Sequence, residues 1–441
     1  METPICDFVR GYAESNALRL HMPGHKGQRV LGVEPWDITE IDGADSLYEA
    51  KGIIRQSERN AGELFGCETL YATEGSSQCI RAMVYLAMLC TGKKRPVIAA
   101  GRNAHKSFLT AAALLDPEVI WLTGARRSYL SCPLTAQELE NFLADHSPDA
   151  VYVTSPDYLG NMLPVGELAE VCHRHGVLLL VDNAHGAYLR FLPQSMHPMD
   201  LGADLCCASA HKTLSVLTGG AYLHLSEGLP ERVRQQARNA MALFGSTSPS
   251  YLILQSLDAA NAELCAAYPA RLQAFLPRIH RCRERLAEYG YTLLGDEPLK
   301  LTICARSFGY EGTALAALLL EQNIVCEFAD PDHLVLMLTP ELEEWAISRL
   351  EEVLCAVPKR MPLPEEPPAF QLPERVCSIR EAALALCETV PVSQSEGRIL
   401  AAASVGCPPA VPIVVCGERI DAATIRCFRY YGIDECTVVI E

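Results

Sequence analysis

The sequence contains no apolar run of about 18 residues, the length a helix needs to cross a bilayer. Its opening stretch, METPICDFVRGYAESNALRL, also lacks the basic segment and apolar core of a secretory leader. On these absences the protein is expected in the cytoplasm, with no membrane partner. Positive charge is in deficit: 37 Lys and Arg stand against 54 Asp and Glu, a formal charge of −17. Nonspecific binding to nucleic acid or anionic lipid is disfavoured by that field. A cationic small molecule is favoured, though only within a Debye length of about 8 Å. The nineteen cysteines include no CxxC pair and are scattered through apolar segments, so they read as buried free thiols with no metal site. A GxGxxG after the first strand and a GxxxxGK[ST] are both missing, which removes support for dinucleotide and nucleoside-triphosphate readings. There is no internal repeat.

What remains is a globular composition, with 49% hydrophobic and 21% charged residues over 441 positions. That length suits two or three domains. Residues 1–50, rich in Gly, His and Asp, read as an arm with short helices. Over 51–250, the runs VIAA (97–100), AVYVTS (150–155), VLLLVD (177–182) and AYLHL (221–225) read as buried strands. Helical spacing after Gly75 and in LPVGELAEVCHRHG alternates with them, which predicts an α/β large domain on a mostly parallel sheet, with ligands at the strand carboxyl ends. Residues 251–357 begin with a long helical connection and continue as a smaller α+β domain, with strands near LKLTICA and HLVLML. A Pro-rich linker occupies 358–374, ahead of a C-terminal α+β unit at 375–441 too small to be assumed stable alone.

Four features carry chemistry. In SAHKTL (209–214), Lys212 follows the run ADLCCA, and an amine becomes a Schiff-base nucleophile when burial or a nearby cation lowers its pKa. By itself it could be a surface lysine at a loop start. Asp182 ends VLLLVD, where a carboxylate could face a pyridine nitrogen and keep it protonated, or could be a helix cap or magnesium ligand. In TEGSSQ (73–78), Gly75, Ser76 and Ser77 precede a helix and form an anion cradle in outline, or a plain serine cap. His105, in GRNAHKS, could lie flat on an aromatic cofactor or be a satisfied polar residue. Taken together, the four match a pyridoxal phosphate site better than any other cofactor.

The chain resembles the prokaryotic ornithine/lysine/arginine decarboxylase family, short form, of aminotransferase-like fold type I. The resemblance runs through HMPGHKG (21–27), DITEIDGADSLYEAKG (37–52), GSS (75–77), the HKS around His105, TSPDYLG (154–160), VDNAHGAY (181–188), SAHKTL and STSPSYLILQSLDAA (246–260). It implies that Lys212 carries pyridoxal 5'-phosphate, His105 stacks on the ring, Asp182 pairs with the ring nitrogen and Ala184 packs beneath it. It places Ser76, Ser77, Ser209 and His211 around the phosphate or the lysine linkage. Ser246 and Ser248 would reach the phosphate of a neighbouring subunit, making a homodimer with shared active sites. The implied reaction is decarboxylation of a basic amino acid to its amine, as in polyamine biosynthesis, with Lys212 or His211 returning a proton to Cα. Glu40, Asp42, Asp45 and Glu418 are candidate readers of the substrate's cationic end. Departures from the family pattern fall at Asn183, Cys407, Ala410 and Cys416. The rival expectations are another pyridoxal-phosphate lyase or aminotransferase, and a non-catalytic relative.

Overall fold

Between residues 68 and 225 the apolar runs form strands: β1 (Glu68–Ala72), β2 (Val97–Gly101), β3 (Glu118–Leu122), β4 (Ala150–Thr154), β5 (Leu178–Asp182), β6 (Leu205–Ala208) and β7 (Ala221–Leu225). The computed structural model describes residues 1–124, 129–364, 367–369, 371–402 and 410–440. The seven strands make one sheet in the order β1-β7-β6-β5-β4-β2-β3. Neighbours β2 and β3 are parallel, as are β5 and β6, whereas β7 runs antiparallel to both β1 and β6. Every residue of β6 and β7 is buried, which explains why these stretches lack the polar alternation of a half-exposed strand. Helices Ser76–Thr91, Lys106–Leu115 and Val165–Arg174 follow β1, β2 and β4. This is the α/β architecture expected from the alternation of runs.

One compact unit comprises Met1–Lys94, Asp149–Val151 and Val165–Gln273. Its N-terminal helix, Pro4–Glu14, is held by Asp258, whose carboxylate accepts the N–H groups of Ile5 and Cys6, each at 2.9 Å. These are orphan donors of the first helical turn, so Asp258 replaces the cap that Thr3 does not provide. Helix Ile53–Phe65 ends in a fully buried aromatic cluster. The Phe65 ring lies 5.5 Å from His197, 5.1 Å from Tyr222 and 4.7 Å from His224. Both histidines are buried with their Nε2 atoms unpartnered. Burial depresses both imidazoles, His197 to about 4 and His224 well below the usual value.

The second unit comprises Arg95–Pro148, Tyr152–Pro164 and Ala274–Glu441. It contains an antiparallel sheet of β8 (Thr292–Leu294), β9 (Lys300–Cys304), β10 (Phe328–Ala329) and β11 (His333–Met337), in the order β10-β11-β9-β8. Strands β12 (Cys387–Pro391) and β13 (Glu435–Val439) form a separate antiparallel pair. Leu400, Val414, Ile420, Phe428 and Val438 share one core with Tyr129, Leu159, Phe328 and Val335. The small C-terminal segment therefore completes a core that it could not fill alone. Arg102, 1% exposed, fastens it further: the guanidinium pairs with Glu418 at 2.8 Å and donates to the carbonyls of Pro412 and Ile413, each at 3.1 Å.

Candidate active site

Lys212 lies on the four-residue helix Ala210–Thr213, directly beyond β6. Its N–H donates to the Ser209 carbonyl at 3.0 Å, and its Nζ is 3.1 Å from His185 Nε2. His185 is 5% exposed and stands three residues beyond Asp182, on the turn that follows β5. In the sequence it lies within VDNAHGAY, where no local pattern assigns it a role. The only signal was its place after a strand-end aspartate, because the contact with Lys212 arises from the meeting of two loops. His211 is oriented differently. Its Nδ1 bonds the Gly220 carbonyl at 3.0 Å, which makes Nδ1 the protonated nitrogen. Burial lowers the His211 pKa, and the Lys212 charge adds to that effect.

The anion cradle is built from two turns. Gly75 has φ +70° and donates its N–H to the Gly219 carbonyl at 2.7 Å. Gly219 has φ +101°, and a Cβ on it would stand 2.7 Å from the Thr73 carbonyl oxygen. Glycine is therefore required where these turns touch. Helix Ser76–Thr91 starts there with Gly75 as its N-cap and no capping side chain. The Ser209 hydroxyl donates to that of Ser76 at 2.8 Å, and Ser77 occupies the next position of the helix. A helix start without a side-chain cap, beside two hydroxyls, is chemically suited to a phosphate.

Asp182 ends β5 and is 2% exposed. Its Oδ1 accepts the Ala184 N–H at 3.1 Å and the Cys207 S–H at 3.5 Å. In the β5–β6 register Asp182 is opposite Cys207, whose thiol is kept protonated by burial and by the Asp182 charge. Asn183 closes the turn by donating to the Gly186 carbonyl at 3.1 Å, while its own Oδ1 is buried without a partner. Ala184, 7% exposed, lies within that turn.

The first unit thus brings Gly75, Ser76, Ser77, Asp182, Ala184, Ser209, His211 and Lys212 onto adjoining strand ends and turns. Ser246 joins through its N–H, which donates to the carboxylate of Glu74, the residue before Gly75. The Ser248 N–H bonds the Ser246 hydroxyl at 3.1 Å. His105 belongs to the second unit, just past β2, where it caps helix Lys106–Leu115 by accepting the Ser107 N–H at 3.1 Å.

Two of the candidate readers of a cationic substrate are engaged elsewhere. Asp45 accepts the N–H groups of Ser46, Lys51, Gly52, Ile54 and Arg55. Burial would raise its pKa, but these backbone donors hold it below the usual carboxylate value. Glu418 is locked to Arg102 and to the Val415 N–H; burial pushes its pKa up against the pull of Arg102. Of the departures from the family pattern, Cys407 lies outside the described residues. Ala410 takes a left-handed φ of +59°, and Cys416 is buried.

Each part of pyridoxal phosphate finds a fitting here: an amine with a basic neighbour for the aldehyde, a buried carboxylate for the ring nitrogen and a helix start for the phosphate. On this sheet, those fittings define a pyridoxal-phosphate enzyme of fold type I. Residues 3–294 match the Orn/Lys/Arg decarboxylase major domain, and residues 370–435 match the Orn/Lys/Arg decarboxylase C-terminal domain. Arginine decarboxylase of Bacillus subtilis is 30% identical over 470 aligned positions, covering 96% of this chain and 92% of the relative. Among solved structures, lysine decarboxylase A of Pseudomonas aeruginosa superimposes with a TM-score of 0.80 at 19% identity, covering 98% of this chain and 76% of that one. The lysine decarboxylase of Francisella novicida gives 0.79 at 17% identity, covering 99% and 79%. The chain belongs to the Orn/Lys/Arg decarboxylase family, and its reaction is decarboxylation of a basic amino acid. Among the described residues, no helix is long and apolar enough to cross a membrane.

Proposed function

We propose that the preferred substrate is arginine, followed by lysine and then ornithine. Support for arginine comes from the curated arginine decarboxylases that the chain resembles along almost its whole length. The observation that carries the site assignment is the contact of Lys212 with His185 on the turn that follows Asp182. In this reading Lys212 bears the cofactor, Asp182 holds a proton on the ring nitrogen, and Ala184 and His105 line the two ring faces. Gly75, Ser76, Ser77, Ser209 and His211 surround the phosphate or the lysine linkage. When bound, pyridoxal phosphate supplies the electron sink that accepts the bonding pair left as CO2 departs. Lys212 is the better donor of the proton that returns to Cα, because the Nδ1–H of His211 is committed to Gly220 and burial keeps its Nε2 unprotonated. With Asp45 and Glu418 engaged, Glu40 and Asp42 remain as candidate readers of the substrate's cation.

The reading includes a cytoplasmic homodimer, with Ser246 and Ser248 facing the partner's phosphate, and an amine product of the kind that feeds polyamine biosynthesis. It also retains the division into arm (1–50), large domain (51–250), small domain (251–357), linker (358–374) and C-terminal domain (375–441). The test is to incubate purified protein separately with arginine, lysine and ornithine while measuring CO2 and identifying the amine. Arginine should turn over fastest, and Lys212→Ala should lose the cofactor that borohydride otherwise fixes to the chain. Keto acid formed without CO2 would instead support the aminotransferase alternative.

A further inference from the structure

We infer that His185 is a catalytic base for Lys212, taking the proton from Nζ and returning it. This rests on the reading of Lys212 as the cofactor lysine. A lysine ammonium has no lone pair, so Nζ cannot attack a carbonyl carbon until a proton has left. In water the proton goes to solvent. Here the Nε2 of a 5% exposed imidazole lies 3.1 Å from Nζ, within reach of direct transfer. The proton passes from Nζ to Nε2, the amine nitrogen keeps the electron pair, and the reverse transfer regenerates the ammonium and the neutral ring. The rival for this task is His211, the sequence neighbour of Lys212. Its Nδ1 is fixed on the Gly220 carbonyl, and a Cβ at Gly75 would come within 3.9 Å of its Cε1, so its ring lies toward the phosphate cradle.

Ionisable groups also stand on the surrounding elements. Cys206 and Cys207 on β6 are held protonated by burial, and His224 on β7 and His211 are held neutral by it. Arg190, on the turn Ala187–Phe191, pairs with Asp200. Asp182 is the acidic group at the end of β5, ahead of the turn that carries His185.

The experiment follows attachment of pyridoxal phosphate to apoenzyme by absorbance across pH, with borohydride trapping and peptide mapping, in wild type and in His185→Gln and His185→Ala. In the wild type the label should map to Lys212, and the rate should level off near neutral pH. Both variants should attach the cofactor at least tenfold more slowly at pH 7, recover as pH approaches the lysine's own range, and be rescued in part by added imidazole. A wild-type rate in His185→Gln at pH 7 would overturn the inference. So would an equal slowing at every pH without imidazole rescue, the mark of a structural role. Label mapping to another lysine in the wild type would instead overturn the Lys212 assignment.

Discussion

Ala410 shows what one methyl group does in the wrong backbone region. Its φ of +59° is left-handed, which disfavours an L side chain by about 1–2 kcal/mol. Its carbonyl accepts the Lys106 N–H at 2.9 Å, a bond that starts the helix behind His105 and so ties the residue to that conformation. Ala410→Gly removes the clash but frees the unfolded chain, a loss of about 0.4–1 kcal/mol. The balance predicts a stabilisation of about 0.5–1 kcal/mol, read as a higher urea midpoint with unchanged slope. A lower midpoint would mean that the backbone strain had been relieved by other means. The departure at this position is thus a local penalty carried by a segment that Arg102 and Glu418 hold in place.

At the scale of elements, helix Ile53–Phe65 and strand β7 enclose His197 and His224, and this packing has a pH signature. The folded state keeps both rings neutral, whereas the unfolded chain protonates them near the ordinary value of about 6.5. Because the unfolded state binds more protons, stability is greatest above that value and falls as pH drops toward about 4, by about 3 kcal/mol from His197 alone. Urea midpoints at pH 7.5 and 5 should therefore diverge more in wild type than in His197→Gln. Equal divergence would place the acid sensitivity in other groups. Elements of this buried kind were legible in the sequence. VLLLVD and AYLHL stand out because both faces of their strands are covered, so apolar residues dominate them without the polar alternation of a half-exposed strand. The strand CETVP at 387–391 carries no such signal, since most of it is exposed and, among the described residues, its strand partner is β13 alone. Lys212, Asp182 and Gly75 could be read from their places at strand ends. His185 could not, because its importance is a distance between two loops that no local pattern records.

For the whole molecule the proposed dimer makes a quantitative demand. Two-fold symmetry would put two equivalent pockets at the subunit boundary, each with Lys212 from one chain and Ser246 and Ser248 from the other. Lys212→Ala and a Ser246→Ala/Ser248→Ala double mutant, each nearly inactive, can be unfolded and reassembled together in equal amounts. Random pairing gives one intact pocket in each mixed dimer, so activity should recover to about a quarter of wild type. The hydrogen bond from Ser246 to Glu74 within one chain gives the test its alternative. If those serines serve their own subunit, activity will stay at the parental level even with subunit exchange verified by mass.

The position of β7 also sets a timetable. This strand enters the sheet last of the seven in chain order, yet it lies between β1, the first made, and β6. The Gly75 and Gly219 turns meet only once it is in place, since Gly219 leads directly into it. In the folded sheet β1 is joined through β7, whose last residue is Leu225. The long sequence separation makes that closure a slow step of assembly. Pairing of Glu68–Ala72 with Ala221–Leu225 is thus the contact that closes the sheet, and hydrogen-exchange protection of β1 should appear no earlier than that of β7.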